Sequence, residues 1–179
     1  MDKQQLEKFK KWFDSYVSGF YGDDSFINAN IRLKQEHSAR VCEEMQYLIE
    51  RLALDTENAL IAETIALFHD VGRFPQFKKY RTYNDFRSIS HSGLGLKVLR
   101  EHGILKQLPK EDRKLIEKAI AWHGKRQLPG HLDPQVLLHA KLIRDADKLD
   151  IFRVVTTYHV KYREDPENFE LEIEFPDEP

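Results

Sequence analysis

A single cysteine, Cys42, occurs among the 179 residues of the chain. That excludes an internal disulfide framework and any zinc module built on paired cysteines. Charge of one sign is missing as well: 28 Lys and Arg stand against 30 Asp and Glu, spread along the chain, for a net charge of −2. Without a basic stripe, a nucleic-acid polymer is not the expected partner. Long hydrophobic runs are also lacking. The most apolar stretch, residues 59–68, is broken by Glu63 and Thr64, and the first residues, Met1-Asp2-Lys3-Gln4-Gln5-Leu6-Glu7, hold no apolar signal core. These absences lead us to expect a cytoplasmic protein that does not engage a membrane. Internal repeats and low-complexity linkers are absent too. At this length one domain over residues 1–179 buries roughly 70% of its unfolded surface, enough to close around a site.

Helical periodicity dominates what is present. Leu6, Phe9, Phe13, Tyr16 and Val17 predict an amphipathic helix over 3–18. A long helix follows from Ile27 to about Ala53. Asp55-Thr56-Glu57-Asn58 then caps another, with Ile61, Ile65 and His69 on one face and Gly72 suited to its stop. Residues 73–90 mix basic and aromatic side chains without helical order, and this loop could hold a phosphate or stack a base. Ser90-His91-Ser92-Gly93 opens the next helix, a further one ends at His123-Gly124, and the last, 134–158, has apolar residues on several sides, as a central helix would. Past Glu164, residues 168–175 alternate as Asn-Phe-Glu-Leu-Glu-Ile-Glu-Phe, the signature of a strand. One strand is unstable alone, so the strand in this acidic extension, 164–179, is expected to pair with its copy in a homodimer or with another short strand of the chain.

Chemistry concentrates in histidines and aspartates. His69-Asp70 ends the apolar run, where an unpaired carboxylate is costly to bury and where a helix dipole favours a cation. By itself the dipeptide is also an ordinary helix end. His37 shares a face with Leu33 and Val41 and, taken alone, reads as a hydrogen-bonded core histidine. His91, His123 and the Asp145-Ala146-Asp147 pair add further ligand types. Such widely spaced ligands cannot form a finger-like site and must converge through a helical fold. Asp145 and Asp147 lie about 200° apart around a helix, so geometry does not choose between them. His102, His131, His139 and His159 are expected to be structural or exposed.

The order His37, His69-Asp70, His91, His123, Asp147 resembles the HD-domain superfamily of metal-dependent phosphohydrolases over roughly residues 30–160. Ala66-Leu67-Phe68-His69-Asp70-Val71-Gly72-Arg73 and Arg144-Asp145-Ala146-Asp147-Lys148-Leu149-Asp150 carry the likeness most strongly. It implies an all-α, HD-like helical bundle, to which the 168–175 strand would be appended. It also implies Asp147 rather than Asp145 as a ligand, and two divalent transition metals (Fe, Mn, Co, Zn or Ni). One would be held by His37, His69, Asp70 and Asp147 and the other by His91 and His123, with Asp70 bridging. The reaction so implied is attack of a metal-bridging hydroxide on a phosphoester or nucleotide. Asp70 and Arg73 would serve catalysis, and Arg73, Lys78, Arg81 and Lys125 would bind substrate. The segment His123-Gly124-Lys125-Arg126-Gln127-Leu128-Pro129-Gly130 lacks the double histidine and Gly-Tyr-Pro of the members that cleave cyclic dinucleotides, which argues against that substrate. Two other readings use the same ligands: a di-iron oxygenase of the same fold, and a nucleotide- or metal-binding module without turnover.

Overall fold

The computed structural model describes residues 1–165 and 167, which form seven α-helices and two short 3₁₀ turns. They are α1 (Lys3–Ser18), α2 (Ser25–Arg51), α3 (Thr56–Phe68), α4 (Arg73–Tyr80), α5 (His91–Glu101), α6 (Lys110–His123) and α7 (Pro134–Glu164). No strand occurs among the described residues, and the expected strand at 168–175 lies outside them. The all-α reading holds. None of the helices described is long and apolar enough to cross a membrane.

Local signals set most boundaries. Asp2, Asp24 and Asp55 cap α1, α2 and α3 by accepting from Gln5, Ile27 and Asn58 backbone N–H groups. In α1 the predicted stripe Leu6, Phe9, Phe13 and Val17 is buried. Ser90 caps α5 by accepting from the Gly93 N–H, and Gly103, at φ 64°, lets the chain leave that helix in a left-handed turn.

The structure corrects three expectations. Residues 73–80 are helical, because Phe74 and Phe77 bury one face of α4 and Arg73 is tethered at its start; only 85–87 of the remaining loop adds a 3₁₀ turn. The centre of the bundle is α3 rather than α7. Leu60, Ile61, Ala62, Thr64, Ile65, Ala66, Leu67 and Phe68 are all buried, and α3 packs against α1, α2, α6 and α7. On α7, by contrast, Leu149 and Ile151 are exposed. Third, Gly72 is a point of close approach rather than a helix stop. Its backbone is right-handed helical, at φ −72°, and a Cβ there would lie 2.2 Å from the His91 carbonyl oxygen and 2.5 Å from the Gly95 nitrogen. Phe68, at the end of α3, packs on Phe9 and Trp12, fixing the helix that delivers His69 and Asp70 into the interior.

Candidate metal centre

Five elements bring six side chains to one place. His37 projects from the middle of α2, His69 and Asp70 follow the last turn of α3, His91 opens α5, His123 closes α6, and Asp147 lies on α7. All four imidazoles and Asp70 are buried. The His37 and His69 Nε2 atoms are 3.4 Å apart, and those of His91 and His123 are 3.0 Å apart. Asp70 lies between the pairs. Its Oδ2 is 3.5 Å from His37 Nε2 and 3.8 Å from His69 Nε2, while its Oδ1 is 3.7 Å from His91 Nε2 and 3.8 Å from His123 Nε2. Asp147 Oδ1 joins the first pair, 3.2 Å from His37 Nε2 and 3.8 Å from His69 Nε2. Asp145, on another face of α7, is exposed.

The opposite edge of each ring explains why the Nε2 atoms converge. His69 Nδ1 donates to the Ala66 carbonyl at 2.7 Å and His123 Nδ1 to the Ile120 carbonyl at 2.6 Å. A carbonyl only accepts, so in both rings the proton sits on Nδ1 and Nε2 presents a lone pair. His37 Nδ1 lies 2.6 Å from Asp150 Oδ2, and His91 Nδ1 lies 2.7 Å from Asp85 Oδ2. Each ring is thereby turned and held in the tautomer a metal ligand needs. Facing lone pairs 3.0 Å apart repel unless a cation lies between them. Ligand atoms about 2.1 Å from one cation stand roughly 3.0–3.4 Å apart at right-angle to tetrahedral geometry. Two groups could therefore each hold a metal ion: His37, His69 and Asp70, and Asp70, His91 and His123. Imidazole and carboxylate donors without thiolate suit divalent transition metals.

Electrostatics agree with a site built for positive charge. Burial works to raise the Asp70 carboxyl, but Lys34 and Arg73 overcome it and hold the group well below the ordinary carboxylate range. Burial pushes His69 down to about 4, keeping it neutral, and pushes His91 down as well, against the pull of Asp85. His37 goes the other way: burial and Lys34 oppose its charge, yet Asp147, Asp150 and Asp70 raise it to about 9. Asp85 and Asp150 are themselves drawn down to about 2, since the hydrogen bonds and charges of their partners outweigh burial.

Among the residues expected to touch substrate, Arg73 is the most tightly engaged. Its Nε donates to Asp70 Oδ1 at 3.3 Å, and its Nη1 to the Tyr83 carbonyl at 2.5 Å, Gln76 Oε1 at 3.0 Å and Asp85 Oδ1 at 3.0 Å. It thus ties the bridging carboxylate to the one that holds His91. Lys78 and Arg81 lie elsewhere, donating to the Phe20 carbonyl and to Asp24 at the α1–α2 connection. Lys125 is exposed just after α6.

Sequence reasoning missed four participants. Lys34 Nζ is 3.1 Å from Asp70 Oδ2 and lies over the Tyr83 ring. Its signal was its place one helical turn before His37, on the same face. Asp150, three residues after Asp147, bears a comparable signal; Arg40 anchors it through Nε at 2.5 Å and Nη2 at 3.1 Å. Asp85 had no such signal, because its approach to His91 depends on the turn of a loop.

No curated protein and no solved structure is significantly similar to the chain. A family model described as the HD domain matches residues 35–151, well over half of the chain, and the matched span contains His37, His69-Asp70, His91, His123 and Asp147. Together with the helical fold and the two facing ligand groups, that match places this chain in the HD-domain family.

Proposed function

We propose that the chain is a metal-dependent phosphohydrolase acting on a small phosphoester or nucleotide. The observation that carries this reading is the division of Asp70, with one oxygen turned to His37 and His69 and the other to His91 and His123. A carboxylate so placed is suited to bridge two divalent cations. Such a pair, when bound, supplies Lewis-acid polarisation of a phosphoryl oxygen and a water acidic enough to ionise near neutral pH.

The chain's own residues do the rest. His37, His69, His91, His123, Asp70 and Asp147 form the ligand set, and Asp85, Asp150 and the Ala66 and Ile120 carbonyls keep its imidazoles turned inward. Arg73 holds Asp70 through Nε, so it acts first as a positioning residue, and its Nη2 carries the donors left for a phosphoryl oxygen. Lys34, partly exposed and already beside Asp70 Oδ2, is the second cation available to a phosphate at the mouth of the site. Lys125 stands at the start of the neighbouring loop, whereas Lys78 and Arg81 would reach a substrate only by giving up their contacts with the α1–α2 connection.

The test is release of inorganic phosphate from a panel of phosphomonoesters and nucleotides under anaerobic conditions, with Mn²⁺, Co²⁺ or Zn²⁺ added. Turnover is expected with at least one substrate, and Asp70→Ala should abolish it together with bound metal. A di-iron centre that consumes dioxygen on an organic substrate, with no phosphate released, would assign an oxygenase instead. Tight nucleotide binding without turnover under any metal would assign a binding module.

A further inference from the structure

A second feature, on the flank of α7, concerns anions rather than metals. Lys141, Arg144, Asp145 and Lys148 recur at i, i+3, i+4 and i+7, which puts them on one face of the helix. The connection after α6 runs beside that face, and the two together border a shallow, open depression of about 520 Å³ lined by these four residues with Arg126, Gln127 and Leu128. Four cations and one carboxylate thus surround a concavity in a chain whose net charge is −2. The like-charge spacings Lys141–Arg144 and Arg144–Lys148 cost helix stability, and Asp145, four residues after Lys141 and three before Lys148, offsets part of that cost.

The depression beside α5 is compensated: Arg100 Nη2 lies 2.9 Å from Glu117. Among the described residues, none of Arg126, Lys141, Arg144 and Lys148 has an ion-pair partner. Instead Arg144 Nη2 donates to the Arg126 carbonyl at 3.2 Å, which ties the loop to the helix and fixes the guanidinium at the depression's edge. Lys141 to Lys148 spans about 10 Å along the axis, longer than one phosphoryl group and suited to a chain of them.

From this we infer that the α7 flank is an anion-binding site for an oligophosphate, a ligand with several linked phosphoryl groups, whether free or carried on a larger small molecule. Arg126 and Arg144 present planar donors to phosphoryl oxygens, while Lys141 and Lys148 act as point charges at either end. Along the chain the flank lies close to the candidate ligands, with Asp145 on another face of α7 from Asp147. Lys148 directly follows Asp147, Arg144 precedes it by one turn, and Arg126 lies three residues beyond His123. It needs no metal, so it stands apart from the reading of that centre.

The experiment is calorimetric titration of the full chain, stripped with a chelator that is then removed, with inorganic tripolyphosphate. Stripping removes any metal-dependent binding, and the flank's share of what remains is read from the double variant. Binding of one tripolyphosphate per chain is expected, weakening as salt rises. In Arg144→Gln/Lys148→Gln it should weaken by about tenfold or more, the loss of two charge-assisted contacts. Lys148→Arg should retain it. Metal content, measured on each preparation before stripping, and the thermal transition report separately on the metal centre and on folding. No binding to stripped wild type, or binding unchanged in the double variant, would overturn the site. Tighter binding of a single-stranded oligonucleotide through the same residues would overturn the ligand class.

Discussion

Asp85→Asn keeps the shape of a side chain and removes its charge, at a position that touches a candidate ligand without being one. Asp85 receives His91 Nδ1 at 2.7 Å, Arg73 Nη1 at 3.0 Å and Gln76 Nε2 at 3.0 Å. An amide offers one acceptor oxygen to these donors and sets its own N–H groups against whichever donors remain. His91 escapes the conflict by moving its proton to Nε2, the atom that faces His123, and the lone pair meant for a cation is lost. Removal of such supporting partners lowers metal affinity by about 10- to 100-fold, which corresponds to roughly 1.4–2.7 kcal/mol. The loss should fall on the group formed with His91 and His123, since His37 and His69 are held by Asp150 and the Ala66 carbonyl. Elemental analysis after equilibration with graded chelator is the assay. At a concentration where wild type keeps two equivalents, Asp85→Asn should keep one. Asp150→Asn is the mirror experiment on the other group. Retention of both equivalents at wild-type affinity, or equal loss of both, would refute the idea that each carboxylate serves its own pair.

Stability offers further checks. His139 is buried, with Nε2 3.1 Å from Asn58 Oδ1 and Nδ1 without a partner, and burial, against Asp55, lowers its pKa from 6.5 to about 4. Between those values the unfolded chain binds a proton that the folded chain does not. Its contribution is therefore intact above pH 6.5 and is lost as pH falls toward 4, by roughly 3 kcal/mol. Urea titrations of wild type and His139→Gln between pH 7 and 4 should diverge in slope, the variant being flatter. Gly72→Ala drives a methyl into the His91 carbonyl, at 2.2 Å, so α5 must shift; about 3 kcal/mol of stability and the metal nearest His91 should go together. Phe68→Ala empties a fully buried site against Phe9 and Trp12 and should cost about 3–5 kcal/mol in urea unfolding.

Much of the helical order was legible because its causes are local. The stripe Leu6, Phe9, Phe13 and Val17 and the caps Asp55 and Ser90 act within a few residues of themselves. Failures fell where the deciding partner is distant. Residues 73–80 form a helix too short for periodicity to register, secured by the burial of Phe74 and Phe77 and by the Arg73 tether. The apolar content of α7 suggested a central helix, yet the neighbours that cover a helix are chosen by the packing of others, and they cover α3.

Within the site the same division holds. Residue type and order brought out His37, His69, Asp70, His91, His123 and the Asp145-Ala146-Asp147 pair, because imidazoles and carboxylates set in apolar surroundings need an explanation from charge alone. Which aspartate turns inward could not follow from angles around one helix without knowing where α2 and α3 lie; the structure puts Asp147 Oδ1 3.2 Å from His37 Nε2. Lys34 and Asp150 carry only the faint signal of standing one turn from His37 and Asp147, because the approaches Lys34–Asp70, Arg40–Asp150 and Asp150–His37 span 36, 110 and 113 residues, and Asp85 meets His91, 6 residues on, only through the turn of its loop. The sequence by itself determined the ligand types, their order and the helices that bear them, through interactions that reach a turn or two. Tertiary packing alone decided how the imidazoles are turned and how Asp70 divides its two oxygens, because ring orientation is set by hydrogen-bond partners that only the fold brings within reach.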